Sequence, residues 1–449
     1  MRKLKGSYFS RMPQRIGRRD FLKRTTLLSV SAFGMGGLIT RSASALTKGR
    51  GANDRLLLGC IGTGSMGTGN LRDFLRFEQV RVVAVCDVDK VHRENAQNLV
   101  NGYYEDKDCR GYNDFREMLE KEDLDLVSIA LPDHWHAIPA ILAAQKGLDI
   151  YAEKPLALTI PQGRAMVDAV NRHGVIWQTG SWQRSQNNFL KASELVRNGR
   201  IGMITRVEVG LPTGPRCEPQ PVMPVPEGFD YDMWLGPAPF EPYTEKRCHW
   251  NFRWILDYSG GQLTDWAAHH CDIANWGMGT EYTGPVEVIP LFADFPRDGL
   301  WNAAVDYHFE CKYLPGASPV APKGFVMSVS NKHRGGVTFF GDEGRIWVDR
   351  GGFETVPASL KDSEILDSEI HLYKSEDHKG NFLDCVRTRQ ETITPIEPAH
   401  RAITIAHLGN IAMQLGRPVR WDPQTENILD DSEAQRKLDR SMRAPWRLY

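Results

Sequence analysis

Long apolar runs are missing from this 449-residue chain: no stretch is as uninterrupted as a membrane span requires. Cys-x-x-Cys is absent, so neither a zinc site nor a thioredoxin-like dithiol has support. His-Glu-x-x-His, the helical metal signature, is absent too. There is no internal repeat, and the one biased tract is dense in Pro and Gly, residues 211–243. Net charge is almost nil, −1 from 55 basic and 56 acidic residues. What is present, 41% hydrophobic and 25% charged residues, is the balance of a soluble globular protein with material for one or two cores.

The first 45 residues differ from the rest. Arg18-Arg19-Asp20-Phe21-Leu22-Lys23 opens a short apolar run, Thr25 to Thr40, and Ser42-Ala43-Ser44-Ala45 follows with small residues suited to a signal peptidase. The paired arginines resemble a twin-arginine signal, which predicts export to the periplasm and no stable membrane span once the signal is removed. A basic cytoplasmic tail or a single anchor helix is the plainer alternative, but the run is short and carries Gly34, Gly36 and Gly37. The segment holds ten Lys or Arg and one acid, so the remainder has 45 basic and 55 acidic residues, a net of −10. Such a surface repels phosphate backbones and argues against nucleic acid. Cys60 and Cys86 lie in apolar strand-like runs, as buried free thiols do. Pairing among the other six cysteines stays open.

Residues 55–179 alternate β-rich runs (55–61, 80–87, 126–131, 149–152, 175–179) with helical patterns, which implies parallel βαβ units. From residue 286 several strand-like runs follow one another, predicting a second, mainly antiparallel sheet. The fold class is therefore α/β: a doubly wound Rossmann sheet over 54–180, then a substrate and oligomerisation domain over 181–449.

Leu56–Ile61 runs directly into Gly62-Thr63-Gly64-Ser65-Met66-Gly67, a Gly-x-Gly-x-x-Gly that closes a strand and opens a helix. Gly62 allows the tight turn, Gly64 lets backbone approach a pyrophosphate, and Gly67 lets helix pack on sheet. Glycine turns are common, so the motif alone is weak. Asp87, twenty residues on at the next strand end, strengthens it by supplying a carboxylate for ribose hydroxyls. That carboxylate favours NAD over NADP, although Lys90 and Arg93 leave NADP open. Pro132, His134, Trp135 and His136 follow another strand end and are candidates for the ribose–nicotinamide half; an ordinary proline turn is the bland alternative. Glu153-Lys154-Pro155 follows the next strand, and there the ammonium form of Lys154 would be disfavoured beside an oxidised nicotinamide.

In this order and spacing, Gly62–Gly67, Asp87, Pro132–His136 and Glu153-Lys154-Pro155 resemble the Gfo/Idh/MocA oxidoreductases. The resemblance implies a C-terminal α/β domain with an open sheet, hydride transfer on sugars or cyclitols, and self-association. It also implies an Asp and a His four residues apart on a helix after a Gly pair. Gly260-Gly261 followed by Asp265 and His269 match, and Asp272 shares their helical face. A neutral His269 can accept a hydroxyl proton, with Asp265 orienting that hydroxyl or raising the basicity of His269; a satisfied buried histidine is the alternative.

For a sugar, Arg184, Trp250, Arg253 and His270 are candidate contacts, although most of twelve tryptophans must simply pack. His249, His269, His270, Asp265 and Asp272 are the one set with metal-binding potential, and no resident metal is expected of it. The reading is an NAD(P)-dependent oxidoreductase acting on a small-molecule sugar or polyol, its cofactor kept bound and recycled. Its rivals are an NAD-dependent glycosidase working through transient C3 oxidation, and a sugar-binding protein without catalysis.

Overall fold

The structure, a computed structural model, describes residues 55–448. The export segment predicted over 1–45 lies outside them. No helix among the described residues is long and apolar enough to cross a membrane.

Six parallel strands, β1 (Leu56–Ile61), β2 (Val80–Cys86), β3 (Arg110–Tyr112), β4 (Leu126–Ile129), β5 (Asp149–Ala152) and β6 (Trp177–Thr179), form a sheet of order 3-2-1-4-5-6. This is the dinucleotide-binding order, whose reversal point lies between β1 and β4. The central strands are apolar on both faces because helices cover both: α1 (Ser65–Leu75), α2 (Lys90–Tyr104), α3 (Phe115–Lys121), α4 (Ala137–Gln145) and α5 (Ile160–His173). Local chemistry sets the helix ends. Asp89 caps α2 by accepting from the N–H groups of Val91 and His92, and Gly174 ends α5 at φ +62°.

The second half begins with α6 (Asn187–Arg197) and β7 (Ile204–Gly210). After a long excursion containing α7 (Tyr231–Leu235) come α8 (Gly261–Met278) and six strands: β8 (Glu287–Asp294), β9 (Asp306–Tyr313), β10 (Phe325–Ser330), β11 (Gly336–Gly341), β12 (Arg345–Asp349) and β13 (Gly352–Val356). Helices α9 (His378–Thr388) and α10 (Ile396–Leu415) follow, then β14 (Val419–Asp422) and β15 (Asn427–Ile428). The nine-stranded sheet runs 13-12-11-7-10-9-8-14-15 and is antiparallel except where β7 pairs with β10. β3 is a three-residue edge with two exposed positions, so no apolar run betrays it. β7, Ile-Thr-Arg-Val-Glu-Val-Gly, sits mid-sheet; its alternation was there to read.

The two halves are tied together. Phe382, Leu383 and Val386 of α9 pack with Leu58, Phe74 and Tyr151 of the first half. The Thr179 N–H at the end of β6 donates to the Thr394 carbonyl just before α10, at 3.0 Å. All eight cysteines are free, seven of them buried.

Arg184, a candidate sugar contact, holds α8 in place instead. It is 3% exposed and donates through Nε and Nη2 to both oxygens of Asp272, each at 2.7 Å, and through Nη1 to Glu281 at 2.7 Å. Asp272 is thereby withdrawn from the Asp265 and His269 set. A buried, fork-bonded pair of this kind is costly to break, because its partners are left charged and unsolvated. Arg184→Met should therefore lose about 3–5 kcal/mol of stability by denaturant unfolding; a loss below about 1 kcal/mol would mean that the bridge is not held as described.

Candidate active site

Three residues turn the chain from β1 into α1. Gly62 has φ +83°, and a Cβ there would stand 2.2 Å from the Ala130 carbonyl oxygen. A Cβ on Gly67 would stand 2.0 Å from the Gly62 carbonyl oxygen. Neither position admits a side chain. Gly64 is different: the nearest neighbour of a Cβ there is the His92 ring, 4.0 Å away. The open space lies at the mouth of α1, whose first N–H groups receive no side-chain cap. Free donors, a helix dipole and room for an anion are what a diphosphate requires, so these residues fit a dinucleotide.

From that turn a groove runs along the strand ends, lined by Gly62, Gly64, Ser65, Met66, Gly67 and Asp87, then by Pro132, Trp135, Glu153 and Lys154. Asp87 is held by the Thr63 backbone N–H at 2.8 Å, the Thr63 hydroxyl at 3.2 Å and the Asp89 N–H at 2.9 Å. Thr63 is buried and acts on the site through Asp87. His134 and His136, candidate cofactor contacts, are turned inward. His134 Nε2 pairs with the Trp234 carbonyl at 3.0 Å, and burial drives this imidazole down to about 4. Both ring nitrogens of His136 meet carbonyls, those of Pro155 at 2.7 Å and Leu131 at 2.8 Å. These two histidines fasten the strand-end loop rather than face the groove.

The Pro- and Gly-dense excursion roofs this groove. Lys90 N–H donates to the Gly228 carbonyl at 2.9 Å, Asp230 N–H to that of Val88 at 3.0 Å, and Asn113 Nδ2 to Asp230 Oδ2 at 2.7 Å. These bonds place Phe229, Trp234, His249 and Trp250 over the cavity. His249, at φ +55°, packs against Phe229 and His92, ring centroids 5.3 and 5.1 Å away. Asp89, His92 and His249 bring one ligand atom each within 4.8 Å of the others. The metal-prone set named from sequence does not assemble: His249 lies at the Asp87 end, Asp272 belongs to Arg184, and His270 faces Asp349.

The far end of the groove holds Lys154, Arg253 and Asp265. Lys154 Nζ donates to Asp265 Oδ1 at 2.8 Å and to the Asp265 carbonyl at 3.2 Å. Arg253 Nε reaches the same Oδ1 at 3.4 Å while its guanidinium lies over Trp250, 4.3 Å from the ring centroid. Burial pushes the Asp265 carboxyl up, but the Lys154 and Arg253 charges outweigh it and hold Asp265 below the usual carboxylate value. Asp265 is therefore an ion-pair partner of Lys154; no hydrogen bond joins it to His269 among the described residues. His269 is 3% exposed, with Nδ1 buried and unbonded. Burial first, then the Lys154 and Arg350 charges, push its imidazole well below 6.5, so it is neutral. His270, one residue on, turns away: it is 1% exposed, packs on Trp266 and sits 3.6 Å from Asp349, so it is not a substrate contact.

The comparisons agree with this geometry. Residues 56–181 match the GFO_IDH_MocA profile described as "Oxidoreductase family, NAD-binding Rossmann fold", and residues 215–448 the one described as "Oxidoreductase family, C-terminal alpha/beta domain". The chain belongs to the Gfo/Idh/MocA oxidoreductase family. NAD is accordingly the cofactor of the groove. Among similar proteins is the uncharacterized oxidoreductase YrbE of Bacillus subtilis, 24% identical over 386 residues, which span 83% of this chain and 98% of that protein. Glycosyl hydrolase family 109 protein 2 of a Shewanella species is 30% identical over 161 residues, 34% of this chain and 35% of its own length. The fold matches the aldose-aldose oxidoreductase from Caulobacter crescentus complexed with glycerol, at TM-score 0.59 and 18% identity, over 82% of this chain and 99% of that one.

Gly64→Val tests the cradle. Its Cβ meets nothing closer than 4.0 Å and its φ is −65°, so the variant should unfold within a few degrees of the parent. Its branched methyls fill the diphosphate space, so the dinucleotide recovered per chain should fall to near zero. Undiminished bound NAD would show that the phosphates lie elsewhere.

Proposed function

We propose that this protein oxidises and reduces a sugar, glycoside or cyclitol hydroxyl on a tightly held NAD that is recycled within the site. The observation that carries the reading is the Lys154 and Asp265 pair at the end of a roofed dinucleotide groove, with a neutral His269 one helical turn along α8 and near enough to feel the Lys154 charge. Bound NAD supplies a hydride acceptor and, once reduced, a donor. Ser65, Met66 and Asp87 would hold it on one side; Phe229, Trp234 and His249 would cover it on the other. Lys154 can donate a hydrogen bond to the reacting oxygen, while its salt bridge to Asp265 fixes the ammonium in place. His269, uncharged, can take the hydroxyl proton as the carbonyl forms and return it on reduction.

The roof supports retention, since release requires the bonds between residues 228–230 and the first half to open. The similarity to an aldose-aldose oxidoreductase supports a sugar and a second sugar as hydride partners. Export before function, suggested by Arg18-Arg19, gives recycling a rationale, because free NAD is scarce outside the cytoplasm. Self-association belongs to the same proposal and rests on the family together with exposed Leu291 and Phe292 on β8. A second reading, a glycosidase using transient oxidation at C3 and elimination, is favoured by the family 109 similarity. A chromogenic glycoside in deuterium oxide separates them: aglycone release with exchange at C2 supports the glycosidase, and reduced nicotinamide without aglycone release supports the oxidoreductase.

Native mass spectrometry of the purified protein should show one NAD per chain, and a suitable sugar should raise its reduced-nicotinamide absorbance. Protein without dinucleotide that binds NAD only loosely would refute recycling. Lys154→Met should lower kcat/KM about 10²- to 10⁴-fold with cofactor still bound. Because His269 is pushed down, its basic form persists as pH falls through 6.5, and the acid limb of kcat/KM should lie below that value. An acid limb at 7 or above would assign the proton to another group.

A further inference from the structure

Beside the Lys154 and Asp265 pair, two indoles wall the His269 ring. Trp182 and Trp266 stand edge-on to it, with centroids 6.2 and 6.4 Å away. Between these indoles lies Arg350, from the turn joining β12 and β13. Its Cζ is 4.6 Å from the Trp182 centroid and 4.5 Å from that of Trp266. A guanidinium has five N–H donors, all in its plane. Stacking occupies the faces and leaves the edges, so the indoles fix the orientation of the fork without using its donors.

Those donors are uncommitted. Arg350 makes no hydrogen bond and no ion pair with any other described residue, and its Nε is buried and unbonded. Its neighbour Asp349 is turned to His270 instead. Arg164 and Arg184, by contrast, each take two carboxylates. A half-buried guanidinium with no ion pair is unfavourable, and burial pulls the Arg350 value down. The fork is also close to the reacting groups, as its charge acts on both Asp265 and His269. Trp182, 36% exposed, lines a cleft that shares Met66 and Glu153 with the dinucleotide groove, so one indole of the stack stands beside that groove.

We propose that Arg350, clamped between Trp182 and Trp266, anchors a carboxylate of the substrate, so that the preferred substrates are uronate-type sugars rather than neutral ones. This rests on the sugar reading above. One guanidinium matches one singly charged, planar, two-oxygen anion, which it binds through two parallel hydrogen bonds. A sugar phosphate carries nearly two charges and needs a second cation, and the neighbouring Lys154 and Arg253 are already held by Asp265. The exposed indole of Trp182 supplies the apolar surface on which a pyranose C–H face stacks.

The test compares methyl glucuronide, methyl glucoside and glucose 6-phosphate, and their galacto counterparts, on the NAD-loaded protein. Tryptophan fluorescence titration reports binding, and bound-nicotinamide absorbance reports turnover. The wild type should bind the glucuronide or galacturonide about 10- to 100-fold more tightly than the neutral glycoside. Arg350→Met should erase most of that preference through KM rather than kcat, and Arg350→Lys should restore part of it. Equal binding of charged and neutral sugars, an equal effect of Arg350→Met on both, or preference for the 6-phosphate would each overturn the proposal. Binding without any nicotinamide reduction would instead count against the redox reading and leave the anion site standing.

Discussion

Of the ion pairs that join the two halves of this molecule, one stands at the end of the dinucleotide groove. Lys154 projects from the end of β5 in the parallel sheet, and Asp265 from the first turns of α8 in the second half. Their charged atoms meet at 2.8 Å, with about one-eighth of each side chain exposed. In so dry a setting an unpaired charge on either side is strongly disfavoured, so the pair resists separation of the two elements that carry it. Much of the remaining architecture serves to hold these two elements in register: Arg184 pins α8 through Asp272, and α9 and α10 reach back to the first half.

Contacts between the halves also build the roof. A dinucleotide groove on a Rossmann sheet is open at the strand ends, and most of its polar groups would exchange freely with water. Here the excursion from the second half crosses the groove and bonds to backbone at Val88 and Lys90, the residues beside Asp87. The groove is thus lined by both halves, the glycines of the β1–α1 turn on one side and the aromatics of the excursion on the other.

The parts of this structure legible in sequence are those where local chemistry dictates geometry. Gly62 and Gly67 can bear no side chain, Asp87 ends an apolar strand, and Glu153-Lys154-Pro155 follows another; all fell where the motif spacing put them. Asp265 and His269 share a helix, as their spacing required, but their partners were not readable. Asp265 pairs with Lys154, 111 residues away, and Asp272 with Arg184, 88 away. Polarity alone marks such residues as candidates for a site, and only tertiary contact tells a structural ion pair from a free functional group. His134, His136 and His270 were misplaced for the same reason: beside a functional residue in sequence, each is bonded or packed away from the cavity. Arg350 carries no local signal: it stands in a turn far along the chain, and only folding brings two tryptophans to it.

The claim on which this account depends is that the nicotinamide lies against the Lys154 and Asp265 pair beneath the roof. A crystal structure of the protein with its NAD in place tests it most directly. The diphosphate should lie at Gly64 and the α1 N-terminus, the adenosine ribose on Asp87, and the nicotinamide ring beside Lys154. Density that puts the ring away from Lys154, or the diphosphate away from Gly64, would contradict it.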